Sequence, residues 1–265
     1  MFSLFRRRPR CNACGRRHRD IARIGEFAPT QHGPFHADRF ALEHCALCDV
    51  VFLDPQPTPG DLRAMYEQAV QFTDEVYTAP ERAAAVLDYL TTSVTNWQML
   101  PRAGERVLEV GAGVAWMCRT VKQLRPDVIT MAQDVTGEVA TACPWVDRYV
   151  VGTAESCAGS GPFALISLTH VIEHLVDPKA MLRTLAGMLA TDGYVFITAP
   201  YRPVGWQPGD GAEAWRAYPY LHVPAHVNYL SRAWFEQSCA ELGLQLKSWD
   251  AGHDGGQAFE VVLTR

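Results

Sequence analysis

What this chain does not contain narrows its class first. None of its 265 residues fall in an apolar run approaching ~18, the length of a membrane-spanning helix, so no membrane role is expected. The opening MFSLFRRRPR sets short apolar pieces before arginines, not a charged start before an apolar stretch, so it lacks the form of a secretory leader. A soluble, cytoplasmic protein is the expectation. Internal repeats and low-complexity tracts are missing, which argues against a fibrous or disordered chain. Acids are nearly missing from residues 1–23, where Asp20 stands against eight arginines; the remainder carries 28 acidic and 16 basic residues. Such an arm can meet nucleic acid or an acidic substrate, or dock on the chain's own acidic body. It lacks interleaved aromatics, so nucleic acid is not the expected partner.

What is present fits one full-sized α/β domain with a small appendage, at 48% hydrophobic and 20% charged residues. Such a length buries a core without needing disulfides. Four of the eight cysteines are patterned: Cys11-Asn-Ala-Cys14 and Cys45-Ala-Leu-Cys48 form two C-x-x-C pairs. Each pair offers two thiolates from one tight turn, and four soft ligands suit a closed, structural zinc site. Cys118, Cys143, Cys157 and Cys239 stand singly and read as ordinary small apolar residues.

Residues 1–60 end in Asp54-Pro-Gln-Pro-Thr-Pro-Gly60, which stops regular structure. Helices are predicted over Asp61–Gln71 and from Pro80 to about Trp97. Strands then alternate with helices. The strands are Arg106–Val110, Val128–Gln133, Tyr149–Val151, Phe163–Leu168 and Tyr194–Thr198. The helices run to about Leu124, over Glu138–Ala142, and from an Asp177 cap to near Ala190. A helix over Ser231–Leu242 precedes a strand pair, Leu244–Trp249 and Phe259–Thr264. This alternation predicts a parallel, doubly wound sheet.

In such sheets ligands bind beyond the carboxyl ends of the strands. Glu109-Val-Gly111-Ala-Gly113 is a glycine turn after the first strand, and Asp134 ends the second, where an acid accepts ribose hydroxyls. A dinucleotide pyrophosphate favours a small residue at the third position of G-x-G-x-x-G, but Trp116 stands there. Glu109 would repel phosphates and suit a cationic ligand.

These residues resemble the class I S-adenosylmethionine-dependent methyltransferases. Glu109-Val-Gly111-Ala-Gly113 is similar to their first motif. Val151-Gly-Thr153-Ala154-Glu155 resembles the adenine loop, Phe163 to Pro178 the fourth strand, and Gly193 to Ile197 the fifth. The double C-x-x-C segment with Asp54-Pro-Gln-Pro57 is similar to a subgroup that includes sugar C-methyltransferases. The resemblance implies a Rossmann-like seven-stranded sheet with an antiparallel last strand and a small zinc-ribbon-like module. It implies a zinc-binding module at 1–60, a helical linker or cap at 61–100, and a cofactor-binding domain at 101–265 with a substrate lid at 201–225. Glu109, Gly111, Gly113, Asp134, Val135, Thr153, Ala154, Glu155, Thr169 and His170 would hold S-adenosylmethionine. Three positions depart from the pattern: Ala115 for a third glycine, Thr153 for an acid, and Ala164 for the usual Asp after Phe163.

His170-Val-Ile-Glu173-His174 also spells H-x-x-E-H, a zinc-protease pattern. That pattern needs both histidines on a rigid helix, whereas here a strand gives way to a loop. In the methyltransferase reading the stretch lies where cofactor and acceptor meet. His170, His174 and His226 are then the candidate bases, with Glu173, Tyr201, His222 and Tyr229 toward the substrate. Trp206, Trp215, Tyr218 and Tyr220 either stack on substrate as a lid or pack on the N-terminal region. The expected reaction is methyl transfer to a sugar or biosynthetic metabolite at carbon, oxygen or nitrogen, by a monomer or homodimer. Three alternatives stay open: an RNA or protein methyltransferase guided by the basic arm, a non-catalytic S-adenosylmethionine-binding module, and a nicotinamide oxidoreductase.

Overall fold

Runs such as Val107-Leu108 and Leu165-Ile166-Ser167-Leu168 are buried on both faces, as the central strands of a covered parallel sheet must be. A computed structural model describes residues 9–16, 19–30, 33, 35–62, 65 and 80–265 of the chain. Its larger sheet holds seven strands. In chain order these are β4 (Arg106–Val110), β5 (Ile129–Asp134), β6 (Arg148–Val151), β7 (Phe163–Thr169), β8 (Leu189–Pro200), β10 (Gln245–Gly252) and β11 (Ala258–Thr264). Across the sheet the order is β10-β11-β8-β7-β4-β5-β6. From β4 the chain winds outward to β5 and β6, then returns to place β7 on the other flank. The reversal between β4 and β7 is the switch point at which a ligand crevice opens. The final strand, β11, runs antiparallel to β8 from Ala258↔Pro200 to Thr264↔Tyr194, as expected.

Four helices flank this sheet: α1 (Pro80–Asn96), α2 (Trp116–Leu124), α3 (Pro178–Met188) and α4 (Arg232–Leu242). Leu90 and Val94 of α1 share one core with Met117 and Val121 of α2 and Val107, Leu165 and Phe196 of the sheet. Asp177 caps α3 by accepting from Ala180 N at 2.9 Å, and Ser231 caps α4 by accepting from Trp234 N at 3.1 Å. The helix expected over Glu138–Ala142 shrinks to one 3₁₀ turn, Ala140–Ala142. Most of the helix expected over Asp61–Gln71 lies outside the described residues. Its start is visible: Thr58 Oγ1 accepts from Asp61 N and gives its own proton to the Asp61 carboxylate.

Described residues between 21 and 54 form a second sheet that their composition did not announce. Strands β1 (Ile21–Phe27), β2 (Phe40–Cys45) and β3 (Val50–Asp54) pair antiparallel, and a two-residue strand, β9 (Asn228–Tyr229), completes the edge beside β3. Trp206, Trp215 and Tyr218 are buried against Phe27, Phe40, Leu42, Val51 and Leu53 of this sheet. Of the two roles open to the aromatics of 201–225, packing on the N-terminal region is the one adopted by three of the four. Tyr220 alone stays half-buried. Among the described residues, no helix is long and apolar enough to cross a membrane.

Candidate active site

The turn after β4 is built for close backbone approach. Gly111 and Gly113 both adopt left-handed backbone, with φ of 62° and 48°. A Cβ on Gly111 would press into Val171, whereas one on Gly113 would meet nothing within 4 Å. The loop is braced from several sides. Ala112 N donates to Gln133 O, Tyr149 Oη to Gly113 O, and Trp145 Nε1 to Ala115 O. Asp134, at the end of β5, accepts from Gly113 N at 2.8 Å and from Thr136 N at 3.2 Å. Val135, which follows Asp134, and Val151, the partner of Asp134 on β6, are 51% and 58% exposed, an apolar shelf at the strands' carboxyl ends.

Two residues expected to hold cofactor are otherwise engaged. Glu109 is buried, and its oxygens accept from Met117 N and Cys118 N at the start of α2. It ties the glycine loop to the helix, and burial pushes its pKa up to about 7 against those two donors. Glu155 points outward and accepts from Thr184 of α3 at 3.0 Å. Thr153 and Ala154 remain at the loop edge after β6, with Ala154 buried.

Across the switch point, β7 ends in Thr169 and His170. His170 takes left-handed backbone, φ 54°, an uncommon state for a residue with a side chain. Its N–H donates to Thr198 O, and its ring stacks on Tyr220 with centroids 6.1 Å apart. A single 3₁₀ turn, Ile172–His174, then buries Glu173 to 1% exposure. No zinc-protease helix exists here, so His170 and His174 do not share a helical face. The turn instead presents Glu173 and His174 to His226, which lies in the segment entering β9.

Two of these histidines are held by backbone carbonyls of other residues. His174 Nδ1 lies 2.9 Å from Ala225 O, and His226 Nδ1 lies 2.7 Å from Tyr220 O. A carbonyl only accepts, so each Nδ1 carries a proton, and each Nε2 is the ring atom left for other partners. The rings of His174 and His226 sit 4.9 Å apart, and His222 faces His226 at 4.7 Å. Burial, then the neighbouring His174, pushes His226 down to about 3; burial likewise lowers His222. Burial alone would raise Glu173, but His170, His174 and His226 hold it down to about 2.

Two residues expected at the substrate have partners within the fold. Tyr229 is 2% exposed, and its hydroxyl donates to Tyr220 O at 2.9 Å, so it is a core residue. The Tyr201 ring packs on Trp249 and Phe259. The sequence reading missed Val171, which walls the glycine loop, and Asp254, which accepts from Tyr220 Oη at 2.6 Å. Both act through folded neighbours and leave no local signature.

The four patterned cysteines converge. Their sulfur atoms lie within 4.8 Å of one another, with Cys45–Cys48 at 3.5 Å, Cys11–Cys48 at 3.7 Å and Cys14–Cys45 at 3.8 Å. A tetrahedral ion with sulfur ligands at ~2.3 Å spaces its ligands about 3.8 Å apart. Contact with one another and burial push the Cys11 and Cys48 thiols well up, a crowding that a cation would relieve. The knuckles grip the larger domain. Trp234 Nε1 donates to Ala13 O at 3.0 Å, Ser231 Oγ to Cys48 O at 2.7 Å, and Asn12 Nδ2 to both Asn228 and Val176 O. Arg202 pairs with Asp49 at 2.7 Å, and Asp49 also meets His44.

Comparison with known proteins agrees with this geometry. A family model described as a methyltransferase domain matches residues 77–248, well over half of the chain. A ubiquinone biosynthesis O-methyltransferase of Aliivibrio fischeri (strain ATCC 700601 / ES114) is 28% identical over 112 residues, which are 38% of this chain and 46% of that one. The namesake from Caulobacter sp. (strain K31) is 29% identical over 105 residues, 37% of this chain and 41% of its own. The chain thus spans about half the length of the curated relatives it matches. Among solved structures, coclaurine N-methyltransferase bound to N-methylheliamine and SAH superposes with a TM-score of 0.51. The match has 12% identity and covers 72% of this chain and 73% of the other. Mitomycin 7-O-methyltransferase gives 0.52 at 17% identity, over 74% and 60%. At these identities the structures speak to the fold alone. The strand order, the glycine loop and the family match concur: this chain belongs to the methyltransferase domain family, on the fold of the class I S-adenosylmethionine-dependent methyltransferases.

Proposed function

We propose that this chain transfers a methyl group from S-adenosylmethionine to a hydroxyl oxygen of a small metabolite. One observation carries the reading: a braced glycine loop and Asp134 face a histidine–glutamate cluster across the switch point. The loop fits the cofactor because Gly113 opens on free space and the Val135–Val151 shelf offers apolar surface to a base. The backbone of Gly111–Gly113 would cradle the donor, Asp134 would accept from the ribose, and Thr153 with Ala154 would edge the adenine. When bound, S-adenosylmethionine supplies a methyl group already activated on a positively charged sulfur. The protein's share is then alignment and proton management.

His170, His174 and His226 line the acceptor side, and the carbonyl bonds of His174 and His226 set their rings to orient an acceptor hydroxyl. The names of the sequence relatives support oxygen as the acceptor atom. The four thiolates would hold a structural zinc ion, steadying the knuckle whose Asn12 bonds Val176 O, two residues past the turn that carries Glu173 and His174.

Calorimetry with S-adenosylhomocysteine and with NAD tests the reading. The homocysteine product should bind and NAD should not. Asp134→Ala should weaken binding about tenfold or more, since a carboxylate hydrogen bond contributes roughly 1.5–3 kcal/mol. Release of S-adenosylhomocysteine over a panel of hydroxylated metabolites then reports turnover. Binding of NAD alone would overturn the proposal.

A further inference from the structure

The sulfur cluster is not the only group of side chains arranged as ligands. Glu173, His174 and His226 each place one donor atom within 4.8 Å of the other two. The chain's topology brings them together from two segments, the turn after β7 and the approach to β9. Backbone bonds lock that meeting: Val227 N donates to Glu173 O at 2.7 Å, and Asn228 Nδ2 donates to Leu175 O at 2.7 Å.

Glu173 is the anomaly in this cluster. It is 1% exposed, yet neither carboxylate oxygen has a hydrogen-bond partner. His170 Nδ1 lies 3.4 Å from Oε1 and His174 Nε2 lies 3.9 Å from it, both too far or too poorly aimed to serve. A buried carboxylate that has imidazoles at ion-pair distance but no hydrogen bond is a costly arrangement, so something of positive charge is expected between these groups. Protonated histidines would be one answer. A metal ion is the other, because both rings are anchored through Nδ1 to carbonyl oxygens, which leaves Nε2 as the ring atom available to the cluster. A ring N–H donated to a carbonyl, with the opposite nitrogen free, is the outer support that metal-bound histidines need.

We propose that Glu173, His174 and His226 bind a divalent first-row transition metal ion at the acceptor side of the site. Two imidazoles and one carboxylate suit such ions better than magnesium or calcium, which favour all-oxygen shells. Ligand distances of ~2.1 Å put neighbouring donors about 3.0–3.5 Å apart, so a small side-chain rotation closes the shell. Three protein ligands leave positions open, and an acceptor oxygen is the group those positions would take. The ion would orient that oxygen and favour its ionised form. Only this last role rests on the methyltransferase reading; the binding itself does not.

The test uses the full chain, stripped with a chelator until the metal that remains resists further extraction. Mn²⁺ is then titrated in while the electron paramagnetic resonance signal of the free ion is followed. Manganese is chosen because thiolates take it poorly, so the sulfur cluster stays silent. One saturating site per chain is expected in the native protein. Glu173→Gln, which keeps the shape, and His226→Ala should each weaken it by more than about tenfold. S-adenosylhomocysteine calorimetry on the same samples reports whether each variant is folded. A native chain that leaves the manganese signal free overturns the proposal, as do variants that still bind at the native level. If the homocysteine compound binds and manganese does not, the metal site alone falls. If manganese binds and the compound does not, the methyltransferase reading falls and the metal site stands.

Discussion

Gly111→Ala is the substitution on which the account of the cofactor loop can be tested most sharply. Two costs add at this position. The left-handed backbone, φ 62°, costs a residue with a Cβ about 1–2 kcal/mol. The new methyl also presses into Val171, with Cγ1 3.2 Å away and Cγ2 closer still, and such overpacking costs about 1–3 kcal/mol. The sum is about 2–5 kcal/mol, and for a chain of this size each kcal/mol moves Tm by ~2–4 °C, giving a fall of roughly 4–20 °C. Gly113→Ala is the matched control. It carries the conformational cost alone, since its Cβ meets nothing within 4 Å, so its Tm should fall by only a few degrees. Its methyl nonetheless enters the space a ligand would use, and affinity for S-adenosylhomocysteine should drop. Thermal melts and calorimetry on both variants read the contrast. Adding Val171→Ala to Gly111→Ala should return the steric part, a favourable coupling absent from Gly113→Ala. If Gly111→Ala melts with the native protein, or if Val171→Ala gives no relief, the packing described for this loop is wrong.

Two further outcomes follow from the N-terminal half. Asp61 is 2% exposed and accepts from Thr58 N, Thr58 Oγ1, His36 N and His36 Nδ1, donors that outweigh the effect of burial and hold its pKa down to about 2. A depressed carboxylate stabilises the fold above its unfolded pKa and loses that contribution as pH falls through the folded one. Asp61→Asn should therefore cost about 2 kcal/mol near pH 6 and progressively less between about pH 4 and pH 2, as read by urea unfolding at each pH. Trp234→Phe removes the indole N–H from Ala13 O and leaves that knuckle carbonyl without its donor. A stability loss of about 1–3 kcal/mol is expected, together with faster metal release to a chromophoric chelator, and an unchanged release rate would show that α4 does not brace the knuckle.

The doubly wound sheet was legible because its signals are local. Short apolar runs set the strands, Asp177 and Ser231 announced their helices, and the Gly111–Gly113 turn with Asp134 marked the ligand end. The two C-x-x-C pairs gave the sulfur cluster for the same reason. What sequence hid depended on partners far along the chain. Nothing near Val50–Asp54 says that this strand will pair with Asn228 and Tyr229. Trp206, Trp215 and Tyr218 looked alike as lid or core until the N-terminal sheet was there to receive them. Glu109 read as a ligand-facing acid because the donors it actually meets are backbone N–H groups, which nearly every residue owns. The H-x-x-E-H letters misled in a similar way: Glu173 and His174 do meet a histidine, but it is His226, supplied by the segment entering β9.

The two-residue strand β9 has a bearing on how the molecule is made. Synthesis runs from the amino end, so β1–β3 and all four patterned cysteines emerge while Asn228 and Tyr229 are still to be polymerised. Until then the free edge of β3 is unpaired and the apolar face that will meet Trp206 and Trp215 is bare, the state in which nascent sheets associate wrongly. A metal ion captured early by the thiolates would hold the young segment in register through that wait. If the thiolates take up zinc, as proposed, its supply during translation rather than afterwards would then set the yield of folded chain.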